Sequence, residues 1–423
     1  MNNKHSAIKY IRTFLFTAIV VLVFVVASVI VVDPFFHYHK PLENFPYVVD
    51  NQLSQNPGMA KHFDYDSVII GSSMTVNFDT DDFKEHLDLN TIKLCYSGAY
   101  PKDDANIMEV VQESVRKTGQ DVTDGTVPMS PGRGDTGDSP PVTSVDGTAV
   151  VSGSAESAAD STRNIREAYP DEGKRSRSAE SVHNPAYNDT RLKAVFLPMD
   201  LPVMTGDVDE VKYPRPEYLY DTNPFNDVKY VLNKDVFLQY VVRPVLNPNP
   251  TDLSYVYASW WTDEYYNAEA VLSAHAFPEA VNEPLPKDAL IERTQANLEA
   301  NIDPFIEANP ETTFYFFYPP YSILYWENVC IENRFEAVLY QTEYVTKHLL
   351  QYDNVRVFFF QDMEAVVTDL NNYADYSHYH PRVNAYMTEC FATGAHEITA
   401  KDNLANHVNA VREMVASHER LQR

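Results

Sequence analysis

The stretch VIIGSSMTVNF, residues Val68–Phe78, begins as an apolar run and then changes abruptly to glycine and two serines. A short apolar run ended by glycine is typical of a buried β-strand that leads into a turn. A serine in such a turn has two common roles: it caps a following helix, or it acts as a nucleophile when a base lies beside it. Which of these roles applies depends on the residues that the other strands of the chain bring beside this turn.

Four further apolar runs follow along the chain. They are Thr91–Gly98 (TIKLCYSG), Arg191–Pro202 (RLKAVFLPMDLP), Thr312–Ser322 (TTFYFFYPPYS) and Asn354–Asp362 (NVRVFFFQD). Several are apolar throughout instead of alternating, as expected when both faces of a sheet are covered. Helical patterns separate them, at 103–117, 226–242, 289–308, 335–351, 382–391 and 402–421. The alternation predicts an α/β fold with a parallel sheet of about five strands and helices on both sides.

Side chains at two helix starts are candidate caps. Asp103 or Asp104 is placed to cap the helix over 103–117, and Asn226 or Asp227 the helix over 226–242. Aspartate and asparagine are favoured at this position because their oxygens accept hydrogen bonds from free backbone N–H groups.

The N-terminal region is typical of a membrane anchor. Phe14–Val32 carries no charge, and at about 1.5 Å per residue it spans roughly 28 Å, close to the thickness of a bilayer core. Lys4, Lys9 and Arg12 precede it. The positive-inside rule then places residues 1–13 in the cytoplasm, 14–32 in the membrane and the rest of the chain outside. The alternative is a cleaved signal peptide, whose apolar core would be shorter.

The composition of the chain limits the classes of function and partner that we expect. The chain has 423 residues, of which 44% are hydrophobic and 13% aromatic, and a formal net charge of −27. That field repels phosphate backbones, so we expect no nucleic-acid partner. The three cysteines, Cys95, Cys330 and Cys390, do not make a disulfide framework.

The segment 118–189 is rich in Gly, Ser, Asp, Thr, Pro and Ala. It cannot bury enough apolar surface to offset the entropy of ordering, so we predict a disordered insert that separates two parts of one domain, 33–117 and 190–423. Its Arg133-Gly134-Asp135 tripeptide is best interpreted as a chance occurrence in such a composition.

Polar residues follow several of the predicted strands. Because sites in open parallel sheets form beyond the carboxyl ends of the strands, we expect Gly71–Ser73, Ser97–Gly98, Asp200 and Pro319–Tyr321 at one edge. The region after the fifth strand, NNYADYSHYHP at 371–381, adds Asp375, His378 and His380.

The spacing of Asp375 and His378 suits a triad. It lets both side chains face one serine from a tight turn, with the histidine as base and the aspartate orienting it. The backbone N–H groups of Ser73 and Gly98 are candidate donors for an oxyanion. His378, His380 and Asp375 could instead bind a metal, but no further ligand run supports a metal site.

The motifs resemble those of SGNH (GDSL-type) hydrolases. GSSM at 71–74 is similar to their first block, Gly98 falls where the second supplies an oxyanion glycine, and DYSH at 375–378 resembles their last, D-x-x-H. The resemblance is to the membrane-anchored branch encoded with bacterial envelope polysaccharide genes. It implies a three-layer flavodoxin-like sandwich, Ser73 as nucleophile, His378 as proton carrier, Asp375 as orienting acid and no cofactor.

One position departs from that family. Its third block carries an asparagine whose amide completes the oxyanion hole, whereas the equivalent strand end here carries Asp200. A carboxylate accepts hydrogen bonds and repels a developing oxyanion, so Asp200 must be protonated, turned away or engaged elsewhere. Asn77 could face the site instead if the turn after Ser73 is helical. Tyr321 and His380 are further candidates for lining the site.

Two functions are open at this point. The first is an extracytoplasmic serine esterase or O-acyltransferase that acts on envelope glycans, with a membrane-bound O-acyltransferase as the partner implied by the family. The second is a catalytically inactive member with a glycan-binding or assembly role, which Asp200 favours. The aromatic cluster at 259–266 (SWWTDEYY) could stack on sugars, although such clusters more often pack in a core or a lid.

Overall fold

The computed structural model describes residues 2–124, 192–259, 263–399 and 401–418. Its centre is a sheet of five strands, all parallel, in the order β2-β1-β3-β4-β5. The strands are β1 (Ser67–Ile69), β2 (Thr91–Lys93), β3 (Ala194–Pro198), β4 (Thr313–Tyr318) and β5 (Val355–Phe359). The predicted α/β class and the five predicted strands are confirmed.

The strands form where the apolar runs were longest. Consecutive residues of a strand point to opposite faces, yet all five residues of β3 are buried. Both faces of the sheet are therefore covered. Phe196 and Phe316 are among the largest fully buried side chains of the main core.

Fifteen helices of the α type are described. They are α1 (Asn2–Val32), α2 (Gln52–His62), α3 (Thr80–Leu87), α4 (Pro101–Asp124), α5 (Glu217–Tyr220), α6 (Val228–Val231), α7 (Arg243–Leu246), α8 (Ala268–Ala274), α9 (Ile291–Asn297), α10 (Asp303–Ala308), α11 (Ile323–Ile331), α12 (Phe335–Leu349), α13 (Glu364–Val367), α14 (Pro381–Thr393) and α15 (Lys401–Ser417).

Three of the predicted helices differ clearly from the structure. The helix predicted over 289–308 consists of α9, a π-helical stretch at Leu298–Ile302 and α10. Helix α4 begins at Pro101 and continues to Asp124, so the predicted boundary at 118 falls inside it. Asp103 is not the N-cap of this helix but lies inside its first turn. Its side chain accepts a hydrogen bond from the Tyr100 N–H at 3.0 Å, which is the second of the two hydrogen bonds of a capping box. The rest of the predicted insert, from 125 to 189, and its Arg133–Asp135 tripeptide lie outside the described residues.

The helix predicted over 226–242 is broken. It consists of α6, a π-helical stretch at Val236–Val242 and α7. The break falls at Asn233, whose side-chain oxygen accepts hydrogen bonds from the N–H groups of Asp235 and Val236. Asparagine competes with the helix in this way because its amide bonds to nearby backbone. Asp227 makes no side-chain cap bond, because its carboxylate contacts His37 and Tyr38 instead.

Helix α1 is long and apolar enough to cross a membrane over Ser6–Val32. Most of it is exposed, but its last turns are built into the folded domain. Val29 is fully buried in a second apolar cluster with Tyr230, Val236 and Val241. The end of α1 is therefore part of the domain's packing.

Hydrogen bonds from the domain also satisfy the terminal carbonyl groups of α1. The Tyr47 hydroxyl donates to the Val32 carbonyl oxygen at 2.6 Å, and His39 Nε2 lies 3.2 Å from the Ile30 carbonyl oxygen. The buried Asp33 carboxylate accepts from the Tyr230 hydroxyl at 2.8 Å. Such partners are needed because the last carbonyl groups of a helix have none within it.

Candidate active site

The sheet order places a crevice beside β1. The chain runs from β1 to β2 on one side and then crosses to β3 on the other, so the strand order reverses at β1. In open parallel sheets a crevice forms at this point, beyond the carboxyl ends of the strands. Gly71, Ser72 and Ser73 follow β1 and therefore occupy this position.

The turn after β1 requires glycine and uses one serine as a cap. Gly71 has φ +105°, and a Cβ there would lie 2.3 Å from Cδ of Pro198. Ser72 is the N-cap of a single 3₁₀ turn over Ser73–Thr75, because its Oγ accepts from the Met74 N–H at 3.2 Å. The turn leaves the neighbouring Ser73 side chain free of that capping role.

Ser73, His378 and Asp375 converge into a hydrogen-bonded chain. Ser73 Oγ lies 2.7 Å from His378 Nε2, and His378 Nδ1 lies 2.6 Å from Asp375 Oδ2. The sequence separation between the serine and the histidine is 305 residues. Both contacts are within hydrogen-bond reach, which is the geometric requirement for a nucleophile, its base and an orienting acid.

Asp375 remains ionised over a wide pH range. Burial opposes its charged form, but hydrogen bonds and charge from His378, with a further bond from Ser377, outweigh it and lower the pKa of Asp375 to about 2. Its other oxygen, Oδ1, accepts from the backbone N–H groups of Ser377 and His378, each at 2.8 Å. The carboxylate is thus held by the loop and aimed at Nδ1 of the imidazole.

Three hydrogen bonds hold the loop at 371–381, which carries Asp375 and His378, against the ends of the strands. The Tyr379 hydroxyl donates to the Met74 carbonyl oxygen at 2.9 Å, which ties the loop to the turn at Gly71–Thr75, here named the nucleophile turn after the candidate role of Ser73. The Tyr373 hydroxyl donates to the Pro320 carbonyl oxygen at 2.7 Å, and Ser322 Oγ donates to the Tyr376 carbonyl oxygen at 2.6 Å. The Ser73–His378 distance is therefore fixed from both β1 and β4.

Asp200 is engaged by two hydroxyl donors. Its two carboxylate oxygens accept short hydrogen bonds from Ser72 Oγ and from the Tyr321 hydroxyl. Burial raises the pKa of Asp200, against the effect of these two donors and of His378. The carboxylate therefore anchors the cap of the nucleophile turn, and Tyr321 serves as its second donor.

Two backbone N–H groups remain as candidate oxyanion donors. In the described part of the chain, neither the Ser73 nor the Gly98 N–H donates to a protein group. Gly98 has φ +72° and lies close to Lys212, whose Nζ donates to the Ser97 carbonyl oxygen. A backbone N–H at a residue with this conformation can point into a concave site, as an oxyanion hole requires.

Asn77 and His380 each make contacts that the sequence did not predict. The turn after Ser73 is 3₁₀ and not α-helical, so Asn77 is not placed one helical turn from the nucleophile, and its Oδ1 accepts from the Ser259 N–H at 2.9 Å. His380 caps α14, because its Nδ1 accepts from the Arg382 N–H at 3.1 Å. Its ring also contacts Tyr266, with centroids 4.3 Å apart.

One supporting residue was missed although the sequence showed a signal for it. Lys93 interrupts the apolar run of β2 and is fully buried. Its Nζ donates to the carbonyl oxygens of Val76 and Phe78 at 3.0 and 2.8 Å, and burial lowers its pKa to about 8. Lys93 thus secures the chain that follows the nucleophile turn.

Within the described ranges, no group of three or more His, Cys, Asp or Glu side chains is placed to hold a metal ion. Trp260 and Trp261 of the predicted aromatic cluster lie outside the described residues. The sequence matches no protein-family model, and neither a curated protein nor a solved structure matches the chain significantly. The geometry of the site therefore carries the functional argument.

Proposed function

We propose that the chain is a membrane-anchored serine esterase or O-acyltransferase of the SGNH type that acts on envelope glycans outside the cytoplasm. The observation that carries the proposal is the Ser73–His378–Asp375 chain, with its contacts of 2.7 and 2.6 Å. The strand order 2-1-3-4-5 is that of flavodoxin-like sheets, which supports the three-layer assignment. The envelope glycan substrate rests on the family resemblance.

The residues suit an acyl-transfer reaction in two halves. Ser73 Oγ attacks the acyl carbonyl carbon while His378 Nε2 takes the hydroxyl proton, and the N–H groups of Ser73 and Gly98 receive the oxyanion. Collapse expels the first alcohol, which takes the proton back from His378, and leaves an acyl-serine. Water or a sugar hydroxyl then attacks the acyl carbon and gives its proton to His378. As the bond between the acyl carbon and Ser73 Oγ breaks, His378 returns that proton to Ser73 Oγ.

Asp375 has the same role in both halves of the reaction. Its carboxylate accepts a hydrogen bond from the Nδ1–H of His378, so Nε2 is left free to accept the proton of Ser73. The same contact stabilises the imidazolium that forms after each proton transfer. Since its pKa is about 2, Asp375 keeps this role at neutral pH.

The end of α1 supports an uncleaved anchor over a cleaved signal peptide. Val29 is part of a buried cluster, and Tyr47 and His39 bond to the carbonyl groups of Val32 and Ile30. Removing α1 would expose this cluster and leave those partners without their acceptors. An anchor kept in place holds the site beside a lipid-linked or nascent polymer and beside a membrane-bound O-acyltransferase, the partner that the family implies.

Covalent labelling of the full-length chain tests the proposal. An alkyl fluorophosphonate should modify Ser73, and Ser73→Ala should abolish labelling. Ser72→Ala is the matched control and should keep labelling, because Ser73 Oγ lies beside His378 Nε2 whereas Ser72 Oγ donates to Asp200. Label at neither serine, in a chain with an unchanged thermal midpoint, would exclude the catalytic proposal and favour the inactive, glycan-binding alternative.

A further inference from the structure

The segment 225–246 buries one side against α1 and leaves another side exposed. Tyr230, Val236 and Val241 pack in the cluster that contains Val29. The large apolar side chains that remain exposed are Phe225, Val228, Leu232, Leu238, Val245 and Leu246, which together we name the juxtamembrane patch. Phe225 is 90% exposed and Leu246 is 78% exposed. Soluble domains rarely leave such side chains together in water without a binding role.

The position of the patch identifies what it contacts. Val29 lies three residues before the end of the apolar span Ser6–Val32, which is about 5 Å along a helix axis. The π-helical stretch Val236–Val242 packs against α1 at this level. If α1 spans the bilayer, the exposed side chains of the same segment therefore lie at the height where the acyl chains meet the headgroups.

The charges of the segment fit the same surface. Lys229, Lys234 and Arg243 are exposed and Asp235 is the one acidic residue between Val228 and Leu246. This locally basic stretch belongs to a chain whose formal net charge is −27. Apolar side chains with basic neighbours are typical of segments that lie in the interface of an anionic bilayer.

We infer that the juxtamembrane patch is a second membrane contact, which rests on the surface of an anionic bilayer. The inference rests on the proposed membrane anchor and goes beyond it. A single helix tethers a domain but leaves it free to tilt, whereas a helix and an adjoining surface contact fix its orientation. The carboxyl edge of the sheet, with Ser73, is then held at a constant height above the lipid.

Depth measurements on the full-length chain in lipid nanodiscs test this contact. Single cysteines at Leu238 and Val245, in the patch, are labelled with bimane and compared with Val21→Cys in α1 and Ser273→Cys, an exposed residue of α8. The wild-type chain, labelled in parallel, corrects for Cys95, Cys330 and Cys390. Quenching is measured with spin-labelled lipid and with iodide in the water, in anionic and in zwitterionic discs.

We expect both patch labels in anionic discs to lose emission to spin-labelled lipid, as Val21 does, and to lose the iodide quenching that Ser273 shows. Patch labels that iodide quenches as strongly as Ser273, with Val21 still in lipid, would overturn the patch contact and leave the anchor intact. Patch labels shielded from both quenchers would also overturn it, in favour of a protein partner. Val21 outside the lipid would refute the anchor itself. None of these outcomes depends on Ser73 labelling.

Discussion

Ser72 and Ser73 divide two roles that a serine in a strand-to-helix turn can take. Ser72 caps the turn and donates to Asp200, whereas Ser73 contacts the imidazole of His378. The cap holds the turn that presents the nucleophile, so the two roles depend on each other. A carboxylate at position 200 is compatible with this arrangement because it accepts hydrogen bonds from the hydroxyl groups of Ser72 and Tyr321.

At the residue scale, Asp375→Asn should disable the site without unfolding it. An asparagine keeps the acceptor for the N–H groups of Ser377 and His378, but its amide group faces Nδ1 and favours the tautomer with the proton on Nε2. We expect the rate of phosphonate labelling at Ser73 to fall on the order of 10³- to 10⁴-fold. The thermal midpoint serves as the control. A variant that is labelled at the wild-type rate would show that Asp375 does not set the tautomer.

Asp200→Asn should change how stability depends on pH. A carboxyl group whose pKa is raised in the folded state holds its proton more tightly there than in the unfolded chain. It therefore destabilises the fold progressively as pH rises above its unfolded value of about 4. The asparagine can accept from one hydroxyl and donate to the other.

The thermal midpoint of Asp200→Asn, measured against pH, checks this expectation. It should rise relative to wild type between pH 4 and 7, because the variant lacks the titrating group. Burial and the charges of Asp103 and Asp200 raise the pKa of Asp104, so removing the Asp200 carboxylate lessens that rise and changes the midpoint in the same direction. Parallel curves for the two proteins would mean that the pKa of Asp200 is the same in the folded and the unfolded chain.

The triad could be predicted from residue order, since a serine after the first strand and D-x-x-H after the last meet at one edge of a parallel sheet. The position of Asn77 relative to Ser73 could not be predicted from the sequence. It depended on whether the turn after Ser73 was α-helical or 3₁₀, and both turns suit the same residues. The support from Tyr379 was also hidden, because its partner is a backbone carbonyl group of Met74.

At the scale of elements, the sheet was readable because its strands are apolar on both faces, whereas several helices carried no amphipathic signal. Helix α2 contains Pro57 and Gly58, which normally break helices. Helix α11 is buried on nearly all sides, so its apolar residues show no helical period. Both helices form because of their packing in the folded domain, which local sequence patterns do not reveal.

Gly58→Ala should loosen the junction between α1 and the domain. A Cβ at Gly58 would lie 1.9 Å from the Phe35 carbonyl oxygen and 2.6 Å from that of Phe36, so the backbone after α1 must shift. We expect a loss of about 1–3 kcal/mol in stability, as for other overpacked sites. The thermal midpoint of the full-length chain measures the effect.

Gly206→Ala is the matched control for this substitution. There the added methyl meets the end of the flexible Glu210 side chain, 2.6 Å from its Oε2, and Gly206 has an ordinary φ of −74°. The side chain can move aside, so we expect little change in the midpoint. Equal effects of the two substitutions would argue against a specific clash at the junction.

At the scale of the whole molecule, the anchor predicts which parts of the chain face the outside. Ser273→Cys should react with a membrane-impermeant maleimide on intact spheroplasts, and Ser6→Cys should react only after the membrane is opened. The physical reason is that Lys9 and Arg12 precede the uncharged run Phe14–Val32, and the positive-inside rule places such residues on the cytoplasmic side. Labelling in the opposite pattern would invert the topology.

The distance along the chain between Ser73 and His378 also sets a time order. The serine is synthesised 305 residues before the histidine, which at 5–20 residues per second corresponds to roughly 15–60 s of translation. During that interval Ser73 has no base and is chemically ordinary. If Ser73 is the nucleophile that we propose, its hydroxyl gains reactivity only when the last strand and its loop have also been synthesised and folded. A nascent chain of the proposed enzyme would then be unable to acylate or deacylate anything before it is complete.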